Sequence, residues 1–385
     1  MIKRLMLAAA LAAALSGCGM FKSPSKDNLE PPAELTEISP TIAIDAIWSR
    51  DLGEGSAKAG LRLRPAFGDG RIYASDIEGG VYALDAASGR ELWRAEIGEA
   101  VGSGAGFGGG VVAVGGLDGA IVALDAESGN ELWRTEVPSE VIAAPAVEDG
   151  IVVVRAHDGR VFGFAANDGA RRWVFDRGVP LLALRGNSAP MISAGTVYVG
   201  YDNGKAVALD LKSGSLKWEQ AVAQSEGRTE LERLVDIDGE IGGSNGEIFA
   251  VTYRGQVGAL ATDTGRQGWS REMSAFGGLT LSGENLYVSD QDGSVWALDA
   301  RSGASLWQQD ALAHRWLSTP VFAGGHVVVG DFEGYVHVLS AEDGSIAART
   351  RVGDDPIRAA PLAVGDTVYV ANSDGTLAAI RVGGG

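Results

Sequence analysis

The sequence predicts an all-β fold: an eight-bladed β-propeller of four-stranded antiparallel blades, closed by an N-terminal strand that completes the last blade. Three observations predict it. A fifteen-residue unit, Gly79–Trp93 (GGVYALDAASGRELW), recurs in register through the chain. Short Asp-Gly and Asn-Gly loops separate apolar alternating runs, which is the signal of hairpins. The last copy stops short of its outer strand, and an orphan strand of matching type stands near the N-terminus.

The repeat fixes the frame. A glycine opens the third strand at Gly79, Gly119, Gly159, Gly204, Gly255, Gly293, Gly334 and Gly375, at intervals of 38 to 51 residues. Ten positions on, a second glycine recurs at Gly89, Gly129, Gly169, Gly214, Gly265, Gly303 and Gly344, where a tight turn needs positive φ. Fourteen positions on stand Trp93, Trp133, Trp173, Trp218, Trp269 and Trp307, with Ala348 breaking the series. A period near 40 residues marks a stacked or closed repeat array. Meandering hairpins do not stack as a parallel coil does, which favours a ring over a solenoid.

Each copy has two further strands upstream, as in Pro65-Ala66-Phe67, Asp69-Gly70 and Arg71–Ser75. The eighth copy ends its third strand at Arg381, while Ile44–Asp51 (IDAIWSRD) resembles Leu92–Glu96 (LWRAE). The N-terminal strand is therefore expected outside Thr376–Arg381, where it removes an open edge.

Composition bounds the function. With 32 Lys+Arg against 50 Asp+Glu the formal charge is −18, so a nucleic-acid partner, which needs clustered cations, is not expected. Lys3 and Arg4 precede an apolar run, Leu5–Leu15, too short to span a bilayer and of signal-peptide type. Leu15-Ser16-Gly17-Cys18 resembles a bacterial lipobox, which implies cleavage after Gly17 and lipidation of Cys18. Several acyl chains on one residue give stable anchoring. Gly19, rather than an aspartate, follows the cysteine, and that resemblance points to the outer membrane. The expected organisation is a signal peptide over 1–17, a lipidated flexible tether over 18–43 carrying four prolines, and the propeller over 44–385.

Catalytic constellations are weak. Gly104–Gly109 fits a dinucleotide pattern only on paper, because it precedes a strand rather than a helix. His157, His314, His326 and His337 have no metal-ligand spacing, and Asp236–Glu240 matches only the opening of a calcium loop. No catalytic residue, cofactor or metal is assigned.

The motif V-x-A-L-D-x-x-x-G-x-x-x-W resembles the pyrroloquinoline-quinone enzyme repeat. Those enzymes typically set the quinone against a disulfide of adjacent cysteines, which Cys18, the only cysteine, cannot form. A periplasmic quinone-dependent dehydrogenase is the alternative reading, and a binder of extended peptides through blade edges is a third.

The insertions are more informative. The steps from Gly159 to Gly204 and from Gly204 to Gly255 are the longest, and the extra length falls after the tryptophan, in Asp176–Pro190 and Ala221–Glu240. These successive inter-blade connections should emerge side by side on one face, and long loops on a rigid scaffold usually carry function. Here, in LALRGNSAP at 182–190, in ELERLVDID at 230–238, and in His314-Arg315 with Gly330–Tyr335, the chain resembles the BamB family of outer-membrane protein assembly factors, lipoproteins of the β-barrel assembly machinery (BAM). The resemblance implies a non-enzymatic, periplasm-facing scaffold that binds the POTRA domains of BamA through Leu182, Leu184, Arg185, Asp236 and Asp238. Other BAM subunits and nascent outer-membrane proteins are its further implied partners. Leu182 and Leu184 would point the same way on an extended loop, as would Asp236 and Asp238. The residues alone leave two arrangements open: Arg185 contacts a partner beside the leucines, or it pairs internally with the aspartates. In the fifth blade Gly242-Gly243 replaces the usual proline before the inner strand.

Overall fold

A computed structural model describes residues 30–56, 60–178, 188–224, 229, 234–244 and 246–383. Every regular element among them is a strand, and the strands form eight antiparallel four-stranded sheets. The first blade is Ala66–Gly68, Arg71–Ser75, Gly80–Asp85 and Glu91–Glu96, paired in that order from the axis outward. In the eighth, Leu362–Val364, Thr367–Ala371 and Thr376–Val382 are joined by Ile44–Asp51, which runs antiparallel to Thr376–Val382. The expected closure is therefore observed.

Each blade's second and third strands are almost wholly buried, because both faces of the sheet pack on neighbouring blades; Val152, Val154, Phe162 and Phe164 of blade three pack on Val111, Ala113 and Ile121 of blade two. The junctions are stapled by the repeat tryptophans. Trp93 Nε1 donates to the Ala126 carbonyl of the next blade at 3.0 Å, Trp133 to Ala166 at 2.8 Å, and Trp173 to Leu211 at 2.9 Å. The same bond is made by Trp218, Trp269 and Trp307, and by Trp48 onto the first blade. The ring lies against the turn glycine of the neighbour. Gly129 has φ of +75°, and a Cβ there would meet the Trp93 ring at 2.7 Å. The glycine is thus required twice over, for the turn and for the indole of the preceding blade. A register shift between Ala83 and Leu84, repeated at the same place in the following blades, re-aims the outer strand toward the junction.

The seam between blades seven and eight has Ala348 where the others have tryptophan. The compact unit begins at Ala33, within the segment 18–43 expected to be a tether. Thr41 N–H donates to the Ala347 carbonyl at 2.8 Å, and Arg349 Nη1 reaches the Thr36 carbonyl at 3.1 Å. Ile42 and Ile44 pack on the core shared by blades seven and eight, which includes Ala348. The physical reason is the missing indole: apolar surface it would have covered at this junction is covered by the incoming chain.

In these meanders the first-to-second and third-to-fourth strand turns lie on one face. The second-to-third turns and the inter-blade connections lie on the other. The inner strands surround an axial cavity of about 290 Å³, lined from Pro65 of the first blade round to Leu362 of the eighth.

Candidate partner-binding face

The two long connections run from Phe175 to Met191 and from Ala221 to Gly242, at adjacent blade junctions and on the same face. Leu182, Leu184 and Arg185 lie outside the described residues. Asp236 and Asp238 are described, and both are buried, at 0% and 7% exposure. The whole run Leu234–Asp238 is buried, where a surface loop was expected.

Its burial follows from its neighbours. Ile237 N–H donates to the Tyr201 carbonyl of blade four at 3.2 Å, and the Asp236 carbonyl accepts from Tyr253 N–H of blade five at 2.9 Å. The Ile237 side chain fills the space over Gly200, where a Cβ would overlap it. Leu234–Asp238 is therefore a strut wedged between two blades.

Beneath it lies a charge that the sequence reading missed. Arg155 ends the second strand of blade three and is fully buried, with Nη2 2.7 Å from Asp202 Oδ1 and its guanidinium 5.1 Å from the centre of the Tyr201 ring. Seven blades end this strand with Ser75, Gly115, Gly200, Val251, Ser289, Gly330 and Ala371, so an arginine in the alignment was the available signal. Burial pushes the Asp238 carboxyl up to about 7, helped by repulsion from Asp236 and Asp202 and opposed by Arg62 and Arg155. Asp238 Oδ1 and the Arg155 Nε and Nη1 atoms make no hydrogen bond in the protein. Both aspartates thus belong to a buried ionic cluster spanning blades three to five. Their chemistry is to hold the connections that leave it.

Toward the axis, Arg64 of the first blade pairs with Glu240, and Arg62 Nη1 donates to the Phe276 carbonyl at 3.0 Å. Arg62 keeps contact with solvent, but the surrounding blades crowd it. That desolvation lowers its pKa first, Arg358 adds to the lowering, and Asp238 and Glu240 resist it.

A second buried network lies in blade seven, within the other segment that resembles the family. Arg315 Nε donates to Asp331 Oδ2 at 2.7 Å, Nη1 to the Ala33 carbonyl at 3.0 Å, and Nη2 pairs with Glu333. His337 Nδ1 accepts from Arg349 Nε at 3.0 Å, so its proton sits on Nε2, 2.9 Å from Asp331 Oδ2. Burial lowers the His337 pKa against the pull of Asp331. The network holds the N-terminal segment onto the ring.

The Gly104–Gly109 run contributes the inner strand Gly106–Gly108. A Cβ at Gly104, Gly106 or Gly108 would overlap the carbonyls of Arg64, Pro145 or Val147 on adjacent blades, so close packing at the axis accounts for these glycines. Among the described residues, no group of three or more His, Cys, Asp or Glu is placed to hold a metal ion.

The family model described as outer membrane protein assembly factor BamB matches residues 45–102, 77–309 and 291–385. The chain is 48% identical over 373 residues to BamB of Pseudomonas aeruginosa, covering 97% of each. It is 34% identical over 392 residues to BamB of Escherichia coli, covering 98% of this chain and 99% of that one. Among solved structures, BamB from Moraxella catarrhalis superposes with a TM-score of 0.80 at 27% identity, over 88% of this chain and all of that one. A quinohemoprotein alcohol dehydrogenase from Comamonas testosteroni, at 17% identity and a TM-score of 0.71 over 89% of this chain and 77% of that one, shares the fold alone. The chain belongs to the BamB family of outer membrane protein assembly factors.

Proposed function

We propose that this chain is a non-catalytic scaffold of the outer-membrane β-barrel assembly complex. Cys18 carries its lipid anchor, the ring faces the periplasm, and the connections 176–190 and 221–240 dock on the POTRA domains of BamA. Through BamA it joins the other BAM subunits and assists insertion of nascent outer-membrane proteins.

The observation that supports this reading is the buried strut Leu234–Asp238, pinned between blades four and five at the base of the longer connection. A rigid base reduces the ordering cost of a loop that must present side chains to a partner. In this reading Leu182, Leu184 and Arg185 make the contact, while Asp236 and Asp238 act from beneath by fixing the loop bases.

The test is titration of the purified POTRA region against wild type, Arg185→Ala and Asp238→Ala, with circular dichroism on each. Each variant should weaken binding by roughly 1–3 kcal/mol while remaining folded. Unchanged affinity in both folded variants refutes the assignment.

A further inference from the structure

On the same face, toward blades six to eight, the structure exposes aromatic rings beside two arginines, Arg62 and Arg358. Trp316 is 64% exposed, the most of any large apolar side chain among the described residues, and Phe276 is 41% exposed. Both line one open basin of about 430 Å³ with Phe332, Pro356, Arg62 and Arg358. Exposed large rings gathered at one concave place mark a binding surface more often than scattered ones do.

The basin is built to be rigid. Trp316 is held at φ of +49°, a conformation that a bulky residue rarely adopts and that tends to mark functional positions. Its ring lies 6.4 Å from that of Phe332, which sits over the buried Arg315 guanidinium at 5.1 Å. Phe276 stacks on Tyr253 with centroids 4.8 Å apart.

Two arginines and one carboxylate line the basin: Arg62, Arg358 and Asp290. Arg358 is exposed and forms no ion pair among the described residues, and it stands near enough to Arg62 for the two to repel. The Asp290 oxygens accept from the Trp296 indole N–H at 2.7 Å and the Ser294 N–H at 2.8 Å, which fixes the carboxylate in place, and no Arg or Lys pairs with it among the described residues. In a molecule of formal charge −18, such a spot is a local sink for an anion.

From these residues we infer that the basin lined by Trp316, Phe276, Arg358 and Arg62 binds an extended polypeptide segment in which an aromatic side chain neighbours a carboxylate. The aromatic side chain packs between Trp316 and Phe276, and the carboxylate pairs with Arg358. A small aromatic acid would stay largely wet in so open a basin, whereas small-molecule pockets bury most of their ligand. The basin adjoins the base of the connection 221–240 on its Arg62 side, where Asp238 and Glu240 act on that arginine, whereas Trp316 and Arg358 lie outside both long connections.

The test uses the lipid-free full chain and three labelled synthetic peptides with Gly-Ser flanks: one with an Asp-Phe-Asp core, one with Asp-Ala-Asp, and one with Lys-Phe-Lys. Fluorescence anisotropy should show binding of the first only, weakening as salt rises. Trp316→Asn, which tolerates the positive φ, and Arg358→Glu should each weaken it by about tenfold or more. Arg358→Glu should also gain affinity for the Lys-Phe-Lys peptide. Titration of the POTRA region against both variants should match wild type. Equal binding of all three peptides, no binding of any, or indifference to both substitutions overturns the proposal. So does loss of POTRA binding in both folded variants, which would make the basin part of the folded-partner interface. If Arg185→Ala leaves POTRA binding intact while the peptide results hold, the docking assignment fails and this one stands.

Discussion

Trp48→Ala tests whether the ring is closed by the same staple that joins its internal blades. Trp48 is 8% exposed, donates to the Ala86 carbonyl at 3.0 Å, and lies with its ring centroid 5.8 Å from that of Tyr369. A buried indole removes about 150–250 Å² from water, worth about 4–6 kcal/mol at 25 cal/mol per Å² as an upper bound. The lost hydrogen bond adds little, because the Ala86 carbonyl also accepts from Tyr369 Oη at 3.1 Å and is not orphaned. A loss of about 3–5 kcal/mol is expected, as for other buried aromatic truncations. Trp93→Ala, at an internal junction with the same bond, should cost about as much. The assay is equilibrium unfolding in urea with the slope checked for constancy. A loss below about 1 kcal/mol for Trp48→Ala beside a full loss for Trp93→Ala would refute closure by the N-terminal strand.

Removing residues 33–43 alone should lower the unfolding midpoint, because Ile42 leaves the core of blades seven and eight and Arg315 loses the Ala33 carbonyl; an unchanged midpoint would make this segment a passive tether. Protonation of His337 is disfavoured in the fold, so the unfolded chain binds the extra proton and stability should fall as pH drops below about 6.5; His337→Gln should flatten that limb in a series of urea midpoints. Asp238 behaves oppositely. Its folded pKa is raised to about 7, so stability falls as pH rises from about 4 through 7, and Asp238→Asn should remove that slope and be the more stable protein at pH 8. Cys18→Ala should release the protein from outer-membrane vesicles with the propeller intact; an unmodified Cys18 thiol in the native protein, seen by mass spectrometry, would end the lipid-anchor assignment.

The ring was legible because its chemistry repeats. A glycine that must take positive φ and a tryptophan that must find a carbonyl recur at fixed offsets, so spacing alone places strands, turns and junctions. The closure was legible for the same reason, since Trp48 is a stray member of the series. What did not repeat was harder to read. Ala348 signals a missing staple, but nothing in its own sequence says that Ile42 and Ile44 cover the gap. Leu234–Asp238 reads as a polar loop because two acids stand in it. Burial of those acids depends on Gly200, Tyr201 and Arg155, which lie in other blades. Asp236 and Asp238 were found by family resemblance, whereas Arg155 needed the blades to be aligned and the odd side chain noticed.

Among the described residues, both buried ionic clusters occur where a non-repeating segment crosses a blade. Arg155 and Asp202 lie under the strut Leu234–Asp238, and Arg315 and Asp331 lie under the segment entering at Ala33. Elsewhere the repeat tryptophan and its glycine join the blades, and they need no charge to do so. Buried pairs add little net stability, since desolvation cancels much of their attraction, but removing one partner is costly. That asymmetry suits the task of fixing one geometry for a segment without a staple of its own. A loop base that drifted would leave Arg155 or Arg315 buried and uncompensated. The energetic penalty falls on misplacement rather than on folding. The rigid repeat sets where the connections emerge, and the buried ions set how they leave the ring.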